Sequence, residues 1–323
     1  MNAPSVGVAV VNWNSFAELQ LCLAALAVVR GEIRRTVVID NCSNNAPDDL
    51  PYPRPANTVY IRLDSNTGFA RGNNLALPYL EDCDWIALVN PDAYVDPGWL
   101  EALLVAVTHY PDCVMFASCL IKANEPAVLD GIGDNLHMSG MAWRLGHGAP
   151  RAYSPIADKE VFAPCAAAAL YRRDALVALG GFDEDFFCYF EDVDLAFRLR
   201  LAGHKCMLVG NAMVHHVGSA TTGDQRSDFA VYYGHRNMVW CYVKNMPSIL
   251  FWLLLPLHLM ANAAAIIRFV LRGQAGTILR AKWDAIKGIP LMWKKHQMIQ
   301  ASRSASADEV WRVLDKSLLP RRR

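Results

Sequence analysis

The strongest constraint in this chain is a repeated alternation within its first hundred residues. Short apolar runs, each ending on polar or acidic residues, are separated by stretches with helical character. Val6-Gly7-Val8-Ala9-Val10-Val11 shows no polar alternation, the pattern of a strand covered on both faces. It ends at Asn12-Trp13-Asn14-Ser15, where Asn14 or Ser15 is placed to cap a helix over 16–29. Thr36-Val37-Val38-Ile39-Asp40, Thr58-Val59-Tyr60-Ile61-Arg62 and Trp85-Ile86-Ala87-Leu88-Val89 repeat the theme. They run into Asn41-Cys42-Ser43, Asn66-Thr67-Gly68-Phe69 and Asn90-Pro91-Asp92, with helices expected over 71–80 and after Asp96-Pro97-Gly98. Strands alternating with helices predict a parallel, doubly wound sheet, whose ligands sit beyond the carboxyl ends of the strands. Asn12, Asp40 and Asp92 all fall at such ends, so one shared pocket is expected.

Composition narrows the function classes. Lys plus Arg and Asp plus Glu are 31 each, a formal net charge of zero, which gives no basic excess for nucleic acid. Nine cysteines are scattered without a C-x-x-C pair, which predicts reduced, mostly buried thiols rather than disulfides or structural zinc. The first apolar run leads straight into polar residues, so it reads as a strand and not a signal peptide, and a cytoplasmic setting is expected. No G-x-G-x-x-G or G-x-x-x-x-G-K-[ST] follows a strand, so dinucleotide and P-loop readings lack their phosphate cradles. Acidic strand ends without a Gly-rich loop point instead to a divalent cation, Mg²⁺ or Mn²⁺, with Asp92 as its oxygen ligand. On local grounds Asp92 is read equally well as a strand terminator.

The region 113–180 is less regular and ends in Gly180-Gly181-Phe182-Asp183-Glu184. A helix over 191–201 then opens on Glu191-Asp192-Val193-Asp194 and closes before Gly203, a fitting C-cap glycine. Acidic residues in a first turn suit the helix dipole, worth ~0.3–1 kcal/mol each. With Asp183, Glu184 and Asp185 just upstream the cluster exceeds what capping needs. Crowded carboxylates raise one another's pKa, as befits a general base near neutral pH. His215 and His216 follow a short strand, where a neutral imidazole near Asp92 would complete a metal site.

Six of these segments in order resemble family 2 glycosyltransferases, in particular the rhamnosyltransferase-like branch. They are Val10-Val11-Asn12-Trp13-Asn14, Val38-Ile39-Asp40-Asn41-Cys42-Ser43, Asn66-Thr67-Gly68-Phe69-Ala70-Arg71-Gly72-Asn73-Asn74, Asn90-Pro91-Asp92-Ala93, the pair Gly180-Gly181-Phe182-Asp183-Glu184 and Phe190-Glu191-Asp192-Val193-Asp194-Leu195, and Val214-His215-His216-Val217-Gly218. The resemblance covers about 6–245 and implies an α/β GT-A fold, a Rossmann-like, mostly parallel sheet with a mixed acceptor-side half and a helical C-terminal extension. It implies a glycosyltransferase domain over 1–244, split into a nucleotide-sugar half (1–112) and an acceptor half (113–244). The implied nucleotide-sugar pocket is built from Val11, Asn12, Asn14, Asp40, Ser43, Asn66, Gly68, Phe69, Asn74, Asn90 and Asp92. By the same resemblance Asp92 binds the metal with His215, or failing that His216. Asp192, supported by Glu191, deprotonates the acceptor hydroxyl. Asn90 stands where the common D-x-D pattern has its first Asp, which leaves fewer fixed carboxylates for the metal.

The last quarter differs in kind. From Asn245 to Ile267, 23 residues carry no Asp, Glu, Lys or Arg, long enough to span a bilayer but interrupted by Pro256, His258 and Asn262. Basic residues follow, with Trp252, Trp283 and Trp293 suited to an interface. The region 245–323 is therefore expected to associate with a membrane surface; a buried hairpin or a homo-oligomer contact is the alternative. Arg321-Arg322-Arg323 reads as a solvated tail. The expected reaction is inverting, metal-dependent transfer of a sugar, rhamnose or another deoxyhexose, from a dTDP-, UDP- or GDP-linked donor. The acceptor would be a lipid-linked (polyprenyl) or cell-surface glycan at the cytoplasmic face of the membrane, in the service of cell-wall or polysaccharide synthesis. A polysaccharide synthase and a non-catalytic nucleotide-binding membrane scaffold are the competing readings.

Overall fold

Strand β1 (Val6–Asn12) turns Val6, Val8 and Val10 to one side and Ala9 and Val11 to the other, and both sides are packed. That two-sided burial is why its sequence lacks polar alternation. In a computed structural model, which describes residues 4–44, 46–50, 52–151, 156–218 and 227–317, the chain continues through α1 (Phe16–Leu26), β2 (Ile33–Asp40), β3 (Thr58–Arg62), α2 (Gly68–Ala76), β4 (Trp85–Val89), β5 (Ala93–Val95) and α3 (Trp99–His109). The tail Arg321-Arg322-Arg323 lies outside the described residues. Strands β3, β2, β1 and β4 lie side by side, all parallel, as the alternation of elements predicts. Leu19, Cys22, Leu23 and Leu26 of α1 and Trp99, Leu100 and Leu103 of α3 cover one face of the sheet. Ser15 sits at the N-cap of α1, but its side chain makes no capping bond.

The irregular middle resolves into β6 (Cys113–Lys122), β7 (Leu129–Gly131), β8 (Asp134–Leu136), β9 (Ala142–Arg144), β10 (Lys159–Glu160) and β11 (Ala168–Arg172), followed by α4 (Arg173–Ala178). Strand β11 inserts antiparallel between β4 and β6, so one sheet runs through both halves of the expected transferase domain. Helix α5 spans Glu191–Leu201, where the acidic run predicts it, and β12 (Lys205–His216) pairs parallel with β6 and antiparallel with β5. Gly203 takes φ +91 just past α5, the left-handed C-cap expected of it.

The remaining helices are α6 (Asp228–Asn245), α7 (Ser248–Leu271), α8 (Ala275–Ser302) and α9 (Ala307–Val313). Among the described residues α7 alone is long and apolar enough to cross a membrane, yet only 28% of its apolar window is buried. The polar residues that interrupt it face the protein. His258 stacks on Tyr242 with centroids 4.0 Å apart and bonds the Ser139 carbonyl at 2.7 Å, and Asn262 donates to the His258 carbonyl. Ile249, Trp252, Leu253, Leu259, Met260 and Ile267 are left exposed on the outside. Helix α7 thus buries His258 and Asn262 beside Leu250, Phe251 and Leu254 and leaves a broad apolar side exposed, which is not the pattern of a core helix.

Helix α5 is anchored to α6 by the last acid of the run. Asp194 is fully buried against Arg198 at 2.9 Å, Lys244 at 2.7 Å and the Asn245 amide at 2.8 Å. Asp183 likewise pairs with Lys244 and Lys295, both at 2.6 Å; burial raises its pKa, but these ion pairs outweigh burial and hold it well below the usual carboxylate range. Crowding therefore does not raise the pKa of every acid here, because lysines from α6 and α8 separate the upstream group. Removing one partner of a buried pair strands the others, at a cost of about 3–5 kcal/mol. Asp194→Ala is expected to lower unfolding free energy by that amount in urea titrations; a loss under 1 kcal/mol would show that the pair network is not what fixes α5.

Candidate active site

At the carboxyl ends of the parallel strands the side chains bond one another. Asn12 and Asp40 are register partners at the tips of β1 and β2. The Asn12 amide donates to Asp40 Oδ1 at 3.0 Å, and Ser43 donates to the same oxygen at 2.5 Å while accepting from the Asn14 backbone N–H at 2.7 Å. Asn14 and Cys42 take φ 54 and 62, so both loops turn sharply as they leave the sheet. Asn41 makes a second tie: its Nδ2 donates to Asn66 Oδ1 at 2.9 Å and to the Gly68 carbonyl at 3.1 Å. Its Oδ1 accepts from the Thr67 N–H at 2.8 Å. Asn41 was not singled out in the sequence, although it follows Asp40 directly.

Several expected pocket residues are placed in supporting roles. Val11 points into the core beneath Gly72. Asn74 spends its amide on Phe182, donating to the carbonyl and accepting from the N–H at 2.9 and 2.8 Å. It therefore braces α2 against the segment before α5. Gly68, at φ +83, lets Phe187 approach so closely that a Cβ there would lie 2.6 Å from the Phe187 carbonyl.

Strand alternation separates the two histidines. At the end of β12, His215 and His216 point to opposite faces. His215 lies 3.3 Å from Asp96, whereas His216 is buried with Nε2 3.4 Å from Asp92 and Nδ1 2.7 Å from Asp130. Of the two, His216, the second choice in the sequence, is the imidazole beside Asp92. A carboxylate on the far ring nitrogen is the arrangement that orients a metal-ligating histidine, so Asp92 and His216 fit a divalent cation. Burial disfavours the imidazolium, but the bonds to Asp130 and Asp92 outweigh it and raise the His216 pKa, so cation and proton would compete at this site. Asp130 also holds Arg144 and accepts at its carbonyl from His147 at 2.8 Å.

Arg144 opens onto a cavity of about 260 Å³ lined by Phe69, Asn90, Asp134, Cys165, Tyr189, Glu191 and Asp192, among others. Here the strand-end Asn90 and the helix-start Asp192 meet, whereas Asn12, Asp40 and Asp92, expected to share one pocket, are not among the residues that line this cavity. Asp192 accepts from the N–H groups of Val193 at 2.8 Å and Ala166 at 3.3 Å, which fixes the carboxylate direction. Its pKa is nevertheless raised by burial. Burial, then the Asp192 charge, pushes Asp134 to about 7 and lifts Glu191 well above the ordinary range. Asn90 Oδ1, Asp134 Oδ1 and Glu191 Oε2 are buried acceptors with no partner. Asp134, Cys165 and Asp192 offer three ligand-type atoms within 4.8 Å of one another. Burial raises the Cys165 thiol well above its ordinary range, and all three residues line the cavity. Asp130, Asp134 and Arg144 all come from the irregular middle, where no motif marked them.

The Glu191 carboxyl carries a consequence for stability. Its pKa is raised in the folded state, so the stability it contributes is complete below about pH 4.5 and is lost as pH rises toward the folded value. Glu191→Gln is expected to match the parent near pH 4.5 and to exceed it increasingly up to pH 8, by at most about 1.4 kcal/mol per pH unit. Urea midpoints at pH 5 and pH 8 test this, and a variant less stable than the parent at pH 8 would refute it.

Residues 3–239 match the model of the glycosyltransferase-like family 2. A curated relative, the N-acetylglucosaminyl-diphospho-decaprenol L-rhamnosyltransferase of Mycobacterium tuberculosis, is 27% identical over 248 residues, 70% of this chain and 80% of its own length. Among solved structures, S. aureus TarS 1-349 in complex with UDP-GlcNAc superposes with a TM-score of 0.56 at 16% identity over 92% of this chain and 91% of its own. The mannosyltransferase PcManGT from Pyrobaculum calidifontis, in complex with GDP-Man and Mn²⁺, gives 0.53 at 14% identity over 97% and 88%. GalNAc-T7 with UDP, GalNAc and Mn²⁺ gives 0.57 at 13% identity, with 75% of this chain covering 48% of that one. These likenesses show a GT-A fold, and with the family match over most of its length this chain belongs to glycosyltransferase-like family 2.

Proposed function

We propose that this glycosyltransferase moves a deoxyhexose, rhamnose in the first instance, with inversion from a nucleoside-diphosphate sugar to a hydroxyl of a polyprenyl-diphosphate-linked glycan. The observation that carries this reading is the cavity in which Asn90, Asp134 and Glu191 present unpartnered buried oxygens beside the oriented Asp192. A hydroxyl-rich ligand supplies the donors such oxygens lack. The donor base and ribose belong at Asn12, Asp40 and Ser43, and the name of the Mycobacterium tuberculosis relative supports the choice of sugar and acceptor.

An acceptor hydroxyl is a weak nucleophile and needs a base within hydrogen-bond reach. Asp192, its oxygens steadied by two backbone N–H groups, removes the proton as the hydroxyl oxygen attacks the anomeric carbon, and the nucleoside diphosphate leaves from the opposite face. A single base acting without a covalent intermediate gives inversion. Asp92 and His216 would hold Mg²⁺ or Mn²⁺, which when bound stabilises negative charge on the departing diphosphate. Glu191, its pKa lifted well above the ordinary range by burial, donates from its protonated oxygen to a sugar oxygen, while Asn90 and Asp134 accept from sugar hydroxyls.

The reading extends to location. Between residues 246 and 306 the chain carries eight basic residues against one acid, Asp284; Lys282 is buried and Lys295 is paired with Asp183 and Asp185, which leaves Arg268, Arg272, Arg280, Lys287, Lys294 and Arg303. With the exposed apolar side of α7 and with Trp283, Ile286 and Leu291 exposed on α8, this suits an anionic lipid surface on the cytoplasmic face. The chain is expected to float with vesicles containing anionic lipid and to lose that association in Trp252→Glu/Leu253→Glu; a dimer unchanged by vesicles would assign the face to self-association instead.

The reaction is tested with dTDP-L-rhamnose, and UDP- and GDP-sugars as competitors, against an N-acetylglucosaminyl-diphosphoryl lipid. Asp192→Asn is expected to keep nucleotide affinity and lose about 10²-fold or more in kcat, and the product linkage read by NMR should be opposite in configuration to the donor. His216→Ala should abolish activation by Mg²⁺ or Mn²⁺ while His215→Ala leaves it intact. Unchanged turnover in Asp192→Asn, or retention of configuration, would sink the assignment.

A further inference from the structure

The segment that delivers Asp192 to the cavity is strained. Phe187, Tyr189 and Phe190 take φ 64, 66 and 67 immediately before α5, a left-handed conformation that bulky residues adopt only when their surroundings impose it. Its imposing contacts come from two sides. On the nucleotide-sugar side the segment lies against the start of α2: the Phe187 carbonyl accepts from the Ala70 N–H at 3.2 Å, and only a glycine at position 68 leaves room for it. On the other side stands α6. The fully buried Asn237 points its Nδ2 at three carbonyls at once, those of Phe186, Cys188 and Tyr189, at 2.8, 2.9 and 2.7 Å.

Its neighbour completes the grip. Arg236 donates to the carbonyls of Asp185 and Phe186 at 2.9 and 3.0 Å and, through Nε, to Asn237 Oδ1 at 2.8 Å, which fixes the amide orientation. The guanidinium lies 4.1 Å from the Trp240 ring, and Tyr233 of the same helix stacks on Phe187. Within the turn the Cys188 N–H reaches the Phe186 carbonyl at 2.7 Å, while the carbonyls of Cys188 and Tyr189 converge on Asn237 Nδ2. Without a donor between them their dipoles repel, and the left-handed residues are free to relax.

We propose that Asn237, locked by Arg236, is a positioning residue: by gathering the carbonyls of 186–189 it sets the direction in which α5 presents Asp192 to the acceptor. This rests on the reading of Asp192 as the base, but it is tested separately. Asn237→Asp keeps shape and replaces the central donor by an acceptor. In the full-length chain, amide exchange over 186–193 is expected to quicken at least tenfold. Turnover of dTDP-L-rhamnose onto the N-acetylglucosaminyl-diphosphoryl lipid should fall at least tenfold in kcat. The Kd for dTDP with Mg²⁺ should stay within twofold, because Asn12, Asp40 and Ser43 are untouched, and the acidic limb of the pH profile should shift. If Asn237→Asp does not fold, Arg236→Met, which frees the Phe186 carbonyl, that of Asp185 before it and the amide orientation, carries the same readouts. Turnover within twofold of the parent with an unmoved acidic limb, or a dTDP Kd lost in step with kcat, overturns the proposal. An active Asp192→Asn would instead overturn the choice of base.

Discussion

Asp194 meets Arg198, Lys244 and Asn245 where no water reaches, and the geometry of the active site follows from that one cluster. Residues 192 and 194 lie on opposite sides of a helix, since successive positions turn by about 100°. Anchoring Asp194 toward α6 therefore aims Asp192 the other way, into the cavity. A charge that cannot be rehydrated without opening the core is a stiff restraint. It spends one carboxylate on structure so that its neighbour two residues earlier has a defined direction.

The parallel half of the sheet was largely legible because its physics is local. A strand buried on both faces must be apolar throughout, and a polar residue at its end must be where the chain leaves the sheet. The runs ending at Asn12, Asp40 and Asn90 needed nothing more, and α5 announced itself through its acidic first turn and its closing glycine. The antiparallel β11, wedged between β4 and β6, was not legible, because its small alanines are compatible with several settings. Asp130, Asp134 and Arg144 were missed for the same reason: short strands joined by glycine turns carry little periodicity, and their meeting with His216 and Asp192 depends on long-range packing. The acidic cluster was read too uniformly, since nothing near Asp183 in sequence announces Lys244 or Lys295.

The two histidines show how a single residue of register decides a role. From the sequence either fits beside Asp92. Pairing of β12 with β5 places His216 opposite Ala93 and His215 opposite Tyr94, and the pleat then sends only one of them inward. The resemblance favours His215 as the ligand, while the register sets His216 beside Asp92.

The inward-facing polar groups of α7 also bear on how the molecule can be divided. His258 bonds Ser139 and stacks on Tyr242, and Asn262 bonds His258, so the helix is not a detachable anchor hung on a finished enzyme. A chain cut after α6 would bare the ring of Tyr242 and orphan a carbonyl in the middle of the transferase body. The exposed apolar face and the transferase body are one folding unit, and a catalyst freed of its greasy face would have to be made by recolouring the outside of α7, residue by residue, with the helix left in place.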